Sequence, residues 1–226
     1  MKINGTRLKE ARYFRKMTIT ELAEQIGVTK QMVSRYERNT GEPSLETFQK
    51  IVGALKFPTN FFVEDDIYNI ESKGTFYRSR LTATQTEKKP SEFYQKAACY
   101  IRDYFENNIE FPKLSEIHQS FNNPAEAANY IRKKWGLGNK PIPNMMRLLE
   151  EHGMVVYIAE NDSTKVNAHS GWIGVNHHMY FIVALDSNSN TFFNQQFSLA
   201  HELGHYVLHA GLNPQIVDKE EYRKME

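Results

Sequence analysis

The sequence predicts two unlike domains in series: an all-α domain of five short helices, then an α+β domain with a small sheet. Three observations carry this. Up to Phe62, apolar residues recur at helical spacing, and residues suited to capping precede several of the runs. After Gly153 the pattern changes to short, continuous apolar runs rich in β-branched and aromatic residues. Between Gln195 and Ala210 a single apolar helix carries histidines four apart, among them His201 and His205. With 226 residues, 40% hydrophobic and 12% aromatic, the chain can fill two cores, which excludes a wholly disordered protein.

The first domain is assigned to residues 1–66. Leu8, Ala11 and Phe14 mark the first helix. Thr18 and Glu21 form an S/T-x-x-E box, in which the hydroxyl and the carboxylate each satisfy an amide the helix leaves orphaned. Leu22, Ala23 and Ile26 give the second helix its buried stripe, and Gly27 permits the turn after it. Thr29 caps a third helix running through Arg38, with Val33 and Tyr36 facing inward. Ser44 caps a fourth, carrying Leu45, Phe48, Ile51, Val52 and Leu55, and Pro58 opens a last turn ending at Phe61-Phe62. From Val63 to about Pro90 the pattern breaks down, with an acidic Glu64-Asp65-Asp66 and a polar stretch from Thr82 to Pro90, and residues 67–90 read as a linker. The second domain is assigned to residues 91–226. Helices are expected over 91–108, 124–135, 142–152 and 195–210, and strands over 154–158, 171–175 and 179–185.

Composition narrows the setting. Cys99 is the only cysteine, so no disulfide framework exists and a reducing cytoplasm is expected. No run reaches the ~20 apolar residues of a membrane span, and the N-terminus lacks a signal-like apolar stretch. Through Phe62, eleven basic residues stand against six acids, leaving +5 there and −4 over the remainder of a chain whose net charge is +1. A polyanion would therefore meet the first domain.

Helix, glycine turn, helix is the layout that sets a second helix into the major groove. Lys30, Gln31, Ser34 and Arg35 fall on the face opposite Val33 and Tyr36. Glutamine suits adenine there, and arginine or lysine suits guanine. Arg12, Arg15 and Arg38 are expected to hold phosphates. Residues 4–62, above all Leu22-Ala23-Glu24-Gln25-Ile26-Gly27-Val28-Thr29 and Ser34-Arg35-Tyr36-Glu37-Arg38, resemble the Xre/lambda-repressor-type helix-turn-helix family. The resemblance implies a five-helix fold that binds double-stranded operator DNA as a homodimer. It also implies base contacts by Lys30, Gln31, Ser34 and Arg35, and a structural role for Glu37 at the end of the reading helix.

His201-Glu202-Leu203-Gly204-His205 is the most informative pentapeptide. On a helix its histidines share a face, so both imidazoles can reach one zinc ion, with Glu202 beside them as the base for an activated water. That is the chemistry of peptide hydrolysis. His209 continues the spacing but lies ~12 Å along the axis from His201, too far to share one tetrahedral ion. A third ligand is sought among Glu220, Glu221 and Glu226, with Asp218, His169, His177 and His178 as outsiders. Tyr206 or Tyr222 could steady an oxyanion, and Trp172 and Tyr180 read as core before cleft.

From about Arg78 onward the chain resembles the ImmA/IrrE family of metallopeptidases. The resemblance rests on Trp135-Gly136-Leu137-Gly138, Leu148-Leu149-Glu150-Glu151-His152-Gly153, Ser170-Gly171-Trp172 and, most specifically, Phe197-Ser198-Leu199-Ala200-His201-Glu202-Leu203-Gly204-His205. It implies a zincin-like α+β metallopeptidase domain, a Zn2+ cofactor, and a protein substrate of repressor type. It also implies a third ligand from a glutamate that opens a helix beyond the pentapeptide. Here that match falls on Glu226 alone, with Glu221 next, so the chain is expected to be a piece of a longer protein. The alternative reading is a transcription factor whose peptidase-like domain only senses a ligand or partner.

Overall fold

Four of the first five helices begin at a side chain that accepts from the third helical amide, each cap adding about 1 kcal/mol. The computed structural model describes residues 2–65, 70–77, 85–159, 168–187, 191–209 and 220. Asn4 caps α1 (Gly5–Phe14), Thr18 caps α2 (Ile19–Ile26), Thr29 caps α3 (Lys30–Glu37) and Ser44 caps α4 (Leu45–Leu55). Helix α5 (Thr59–Val63) follows Pro58. At α2 the expected box is complete: Glu21 N donates to Thr18 Oγ1 at 3.2 Å, and Thr18 N donates to Glu21 Oε2 at 2.6 Å. Gly27 closes that helix at φ +72°, in the left-handed region that glycine adopts without steric cost.

These helices enclose one core. Leu8, Leu22, Ile26, Val33, Phe48, Ile51, Leu55 and Phe62 lie inside it. Gly5 makes the tightest approach: a Cβ there would sit 2.3 Å from the carbonyl oxygen of Tyr36 and 2.6 Å from that of Glu37. Only glycine lets the start of α1 lie this close to the end of α3.

The chain divides into two units, Met1–Tyr68 with Ala83–Tyr94, and Asn69–Thr82 with Gln95–Glu226. Within the second unit the sheet has the order β1-β3-β4-β2. Strand β3 (Ala168–Val175) and β4 (His178–Asp186) form an antiparallel hairpin, β2 (Val155–Ala159) runs parallel to β4, and β1 (Ile70–Tyr77) lies antiparallel on the outer side of β3. The stretch read as a linker therefore contains a strand. Its own sequence, Ile-Glu-Ser-Lys-Gly-Thr-Phe-Tyr, does not alternate, and its ladder is interrupted between Ser72 and Thr75. It is a strand because β3 offers it a partner.

Helix α6 (Gln85–Glu106) starts six residues before the expected Ser91, inside the polar stretch up to Pro90, and ends close to the expected position. Helices α7 (Pro124–Lys134) and α8 (Met145–Glu151) fall within the expected spans. Helix α9 (Phe192–Leu208) begins three residues before Gln195, at the capping hydroxyl of Thr191. It ends with His209 as its cap, so the stop expected at Ala210-Gly211 lies outside the described residues. The second core joins Ile131, Leu149, Phe181, Val183, Leu199 and Tyr206, which bind α7, α8 and α9 to the sheet. Gly153 (φ +85°) passes so close to the next segment that a Cβ would meet Leu114 N at 2.3 Å. Among the described residues, no helix is long and apolar enough to cross a membrane.

Candidate functional site

Helix α3 divides its residues between two demands. Val33 is fully buried and Tyr36 is 3% exposed, so the inward face is committed to packing. Lys30, Gln31 and Arg35 are exposed and Ser34 is half-buried, all clear of that core. Arg35 is not wholly at liberty, since its Nη2 donates to Thr40 O at 3.2 Å and steadies the turn after α3. Met32, which sequence reasoning did not single out, is also exposed on this helix.

Arg12 overturns its expected role. It is 3% exposed, and its Nε and Nη2 donate to the two carboxylate oxygens of Glu37 at 2.6 and 3.1 Å. Nη1 donates to Met17 O at 2.7 Å, so all three donor groups face inward and none reaches a phosphate. The pair ties α1 to the end of α3, the structural role implied for Glu37. Arg15 donates to Leu55 O and Lys56 O, at the end of α4, and Arg38 donates back to Ser34 O.

In the second unit, α9 turns the sequence Ser198, Leu199, Glu202, His205, Tyr206 into a buried stripe. Glu202 is 2% exposed and His205 3%, while His201 is half-buried one turn earlier. Nε2 of His201 stands 3.1 Å from Nε2 of His205, with the two rings perpendicular at 89°. Two zinc–nitrogen bonds of ~2.0–2.1 Å would subtend roughly 95–100° across that gap, within reach of a tetrahedral site. The two histidines therefore fit one zinc ion. On the other side of the His205 ring, Nδ1 faces Nδ1 of His209 at 3.2 Å.

A cavity of about 490 Å³ opens beside the pair, walled by Ala127, Ile131, Leu137, Ile142, Leu148 and Leu208. Arg132 also lines it, but its Nη1 is bound to Gly138 O at 2.8 Å and Lys140 O at 3.0 Å. Gly204, between the two histidines, has no heavy atom within 4 Å of where a Cβ would stand. The wall of the site is therefore apolar and open at its centre.

Of the remaining expected ligands, those that the structure describes do not join the histidine pair. Glu226, Glu221 and Asp218 lie outside the described residues, and Glu220 is exposed. His178 is bonded through Nδ1 to Asp103 Oδ1 at 2.9 Å, on the far end of the hairpin from Ala168. His169 is buried in β3, and desolvation lowers its pKa to about 3, which keeps it neutral. Among the described residues, no group of three His, Cys, Asp or Glu converges on one point. Tyr206 is a core residue and not an oxyanion donor: its hydroxyl donates to Ser115 O, its ring packs on Phe181 at 4.9 Å, and burial pushes its pKa up to about 12. Tyr222 lies outside the described residues. Trp172 packs on Phe181 and Tyr206, and Tyr180 donates to Asp103 and Glu106, so both serve the fold.

Residues 8–62 match the helix-turn-helix family model, and residues 149–226 match the model of the IrrE N-terminal-like domain. An uncharacterized HTH-type transcriptional regulator, y4wC, of Sinorhizobium fredii is 36% identical over 69 residues, 30% of this chain and 48% of that protein. The HTH-type transcriptional regulator SutR of Escherichia coli is 38% identical over 59 residues, 26% of this chain and 33% of that protein. The chain thus spans about half or less of the length of the curated relatives it matches. A chain of the solved SinR protein/SinI protein complex aligns at 20% identity and a TM-score of 0.26, covering 46% of this chain and 91% of that one.

Proposed function

From a chain that joins an Xre-type helix-turn-helix domain to an ImmA/IrrE-like peptidase domain, we propose a DNA-binding transcriptional regulator whose second domain is a zinc-dependent endopeptidase. Its substrate is a protein of repressor type, cut in an extended segment. The observation that carries this reading is the approach of the two Nε2 atoms to 3.1 Å on the same helix as the buried Glu202.

Zinc, when bound, supplies Lewis-acid polarisation of a carbonyl and acidification of a water. His201 and His205 would hold it, with Glu226 as the proposed third ligand. Glu202 follows His201 directly and is 2% exposed, so its carboxylate is shielded from bulk solvent. Its part is to take a proton from water and return it to the leaving amine. The apolar wall beside the pair offers a surface for substrate side chains.

At the other end, Lys30, Gln31, Ser34 and Arg35 are proposed to read an operator, with a second copy of the chain on the second half-site. The helix-turn-helix domain would then bring the peptidase to a promoter. The test is Glu202→Gln in the full chain, in cells carrying a reporter under its operator. Loss of regulation together with accumulation of an uncleaved repressor is the expected result. Intact regulation would sink the peptidase reading in favour of a sensor domain.

A further inference from the structure

Three histidines climb α9 at positions 201, 205 and 209, and the two gaps between them are not alike. Across the first, Nε2 faces Nε2 at 3.1 Å; across the second, Nδ1 faces Nδ1 at 3.2 Å. His205 therefore uses opposite edges of its ring toward its two neighbours. With no cation, one of the facing Nε2 atoms carries a proton and donates it to the other. With a cation between them, neither does, and the proton of His205 must reside on Nδ1. A ligating imidazole placed this way is oriented by whatever accepts that second N–H. Nδ1 of His209 is at hand to do so.

We propose that His209, itself not a ligand, is the positioning residue for His205. It accepts the Nδ1–H of His205, fixes the tautomer that presents a lone pair at Nε2, and holds the ring aimed at His201. The backbone supports this. His209 caps α9, and its main-chain N–H donates to His205 O at 3.0 Å, so the two residues are fixed to each other through main chain as well as ring. His205 is buried, so an N–H aimed at a defined acceptor matters more there than on the surface. The spacing that first suggests a third ligand is thus the spacing of a ligand and its support. The inference rests on the zinc reading of His201 and His205.

The experiment is zinc competition against a chromogenic chelator, on the full chain, for wild type, His209→Leu and His209→Asn. Leucine removes the acceptor, whereas Oδ1 of asparagine falls near the place of the histidine Nδ1. The expected result is a 10–100-fold loss of zinc affinity in His209→Leu, with near wild-type affinity in His209→Asn. The thermal midpoints of the metal-free chains should agree, which separates support of the ligand from support of the fold. Visible absorption of the cobalt-loaded chains adds a readout of ligand geometry and should change only in His209→Leu. Equal affinity in all three chains, or equal loss in both variants, would overturn the role of His209. Wild type that binds no zinc would instead overturn the zinc reading, and this inference with it.

Discussion

Replacing Glu37 by alanine should cost the helix-turn-helix domain a large part of its stability. The side chains of Arg12 and Glu37 are 4% and 5% exposed, and they meet through two bonds of 2.6 and 3.1 Å. Glu37→Ala leaves the guanidinium buried without its carboxylate, beside Met17 O and the face of Tyr13, 4.4 Å from its centre. Removing one partner of a buried pair costs about 3–5 kcal/mol, because the remaining charge is desolvated and uncompensated. A domain of this size holds roughly 3–9 kcal/mol in total. At about 4–8 °C per kcal/mol, the loss lowers its thermal midpoint by at least ~12 °C. Circular dichroism of the full chain during heating measures it, with operator binding at 25 °C as a second readout. The double variant Arg12→Met/Glu37→Leu removes both charges and should recover most of the loss. A Glu37→Ala chain within about 1 kcal/mol of wild type would refute this account of the pair. So would a double variant as damaged as the single one.

Three other outcomes follow from particular contacts. Gly5→Ala places a Cβ 2.3 Å from Tyr36 O, so α1 must back away from α3; a loss of about 1–3 kcal/mol is expected in urea unfolding, with weaker operator binding. His169 has a folded pKa of about 3 against 6.5 for the free side chain, so between those values the unfolded chain binds the extra proton. Its contribution therefore destabilises the fold as pH falls below about 6.5, by up to ~1.4 kcal/mol per unit, and His169→Gln should flatten the pH dependence of the urea midpoint by about one proton. Gln31→Ala should cost about 1–3 kcal/mol on the preferred operator and relax the preference at one base pair, read by competition with altered sequences.

Local chemistry was legible in the sequence wherever one segment satisfied itself. Thr18 and Glu21 announce their box because both partners lie within four residues, and both bonds form. The buried stripe of α2 follows in the same way from Leu22, Ala23 and Ile26. What stayed hidden needed a partner distant in sequence. Strand β1 has no alternation of its own and exists through its ladder to β3, about a hundred residues later. Arg12 looks like any basic residue on a basic helix until the fold brings Glu37 onto it from 25 positions away. At the candidate site, the i, i+4 spacing brought His201 and His205 into view at once. The same spacing pointed to His209, whose relation to His205 turns on which ring edge each presents, and rotamers are set by packing and not by spacing.

The proposed function depends on whether the histidine pair on α9 holds zinc. The most direct test is zinc per chain by elemental analysis, on the full chain purified without chelators and without an affinity metal, beside His201→Ala. The account expects about one zinc in wild type and none above background in the variant. A wild-type chain that carries no zinc, or a variant that retains it, would contradict the account.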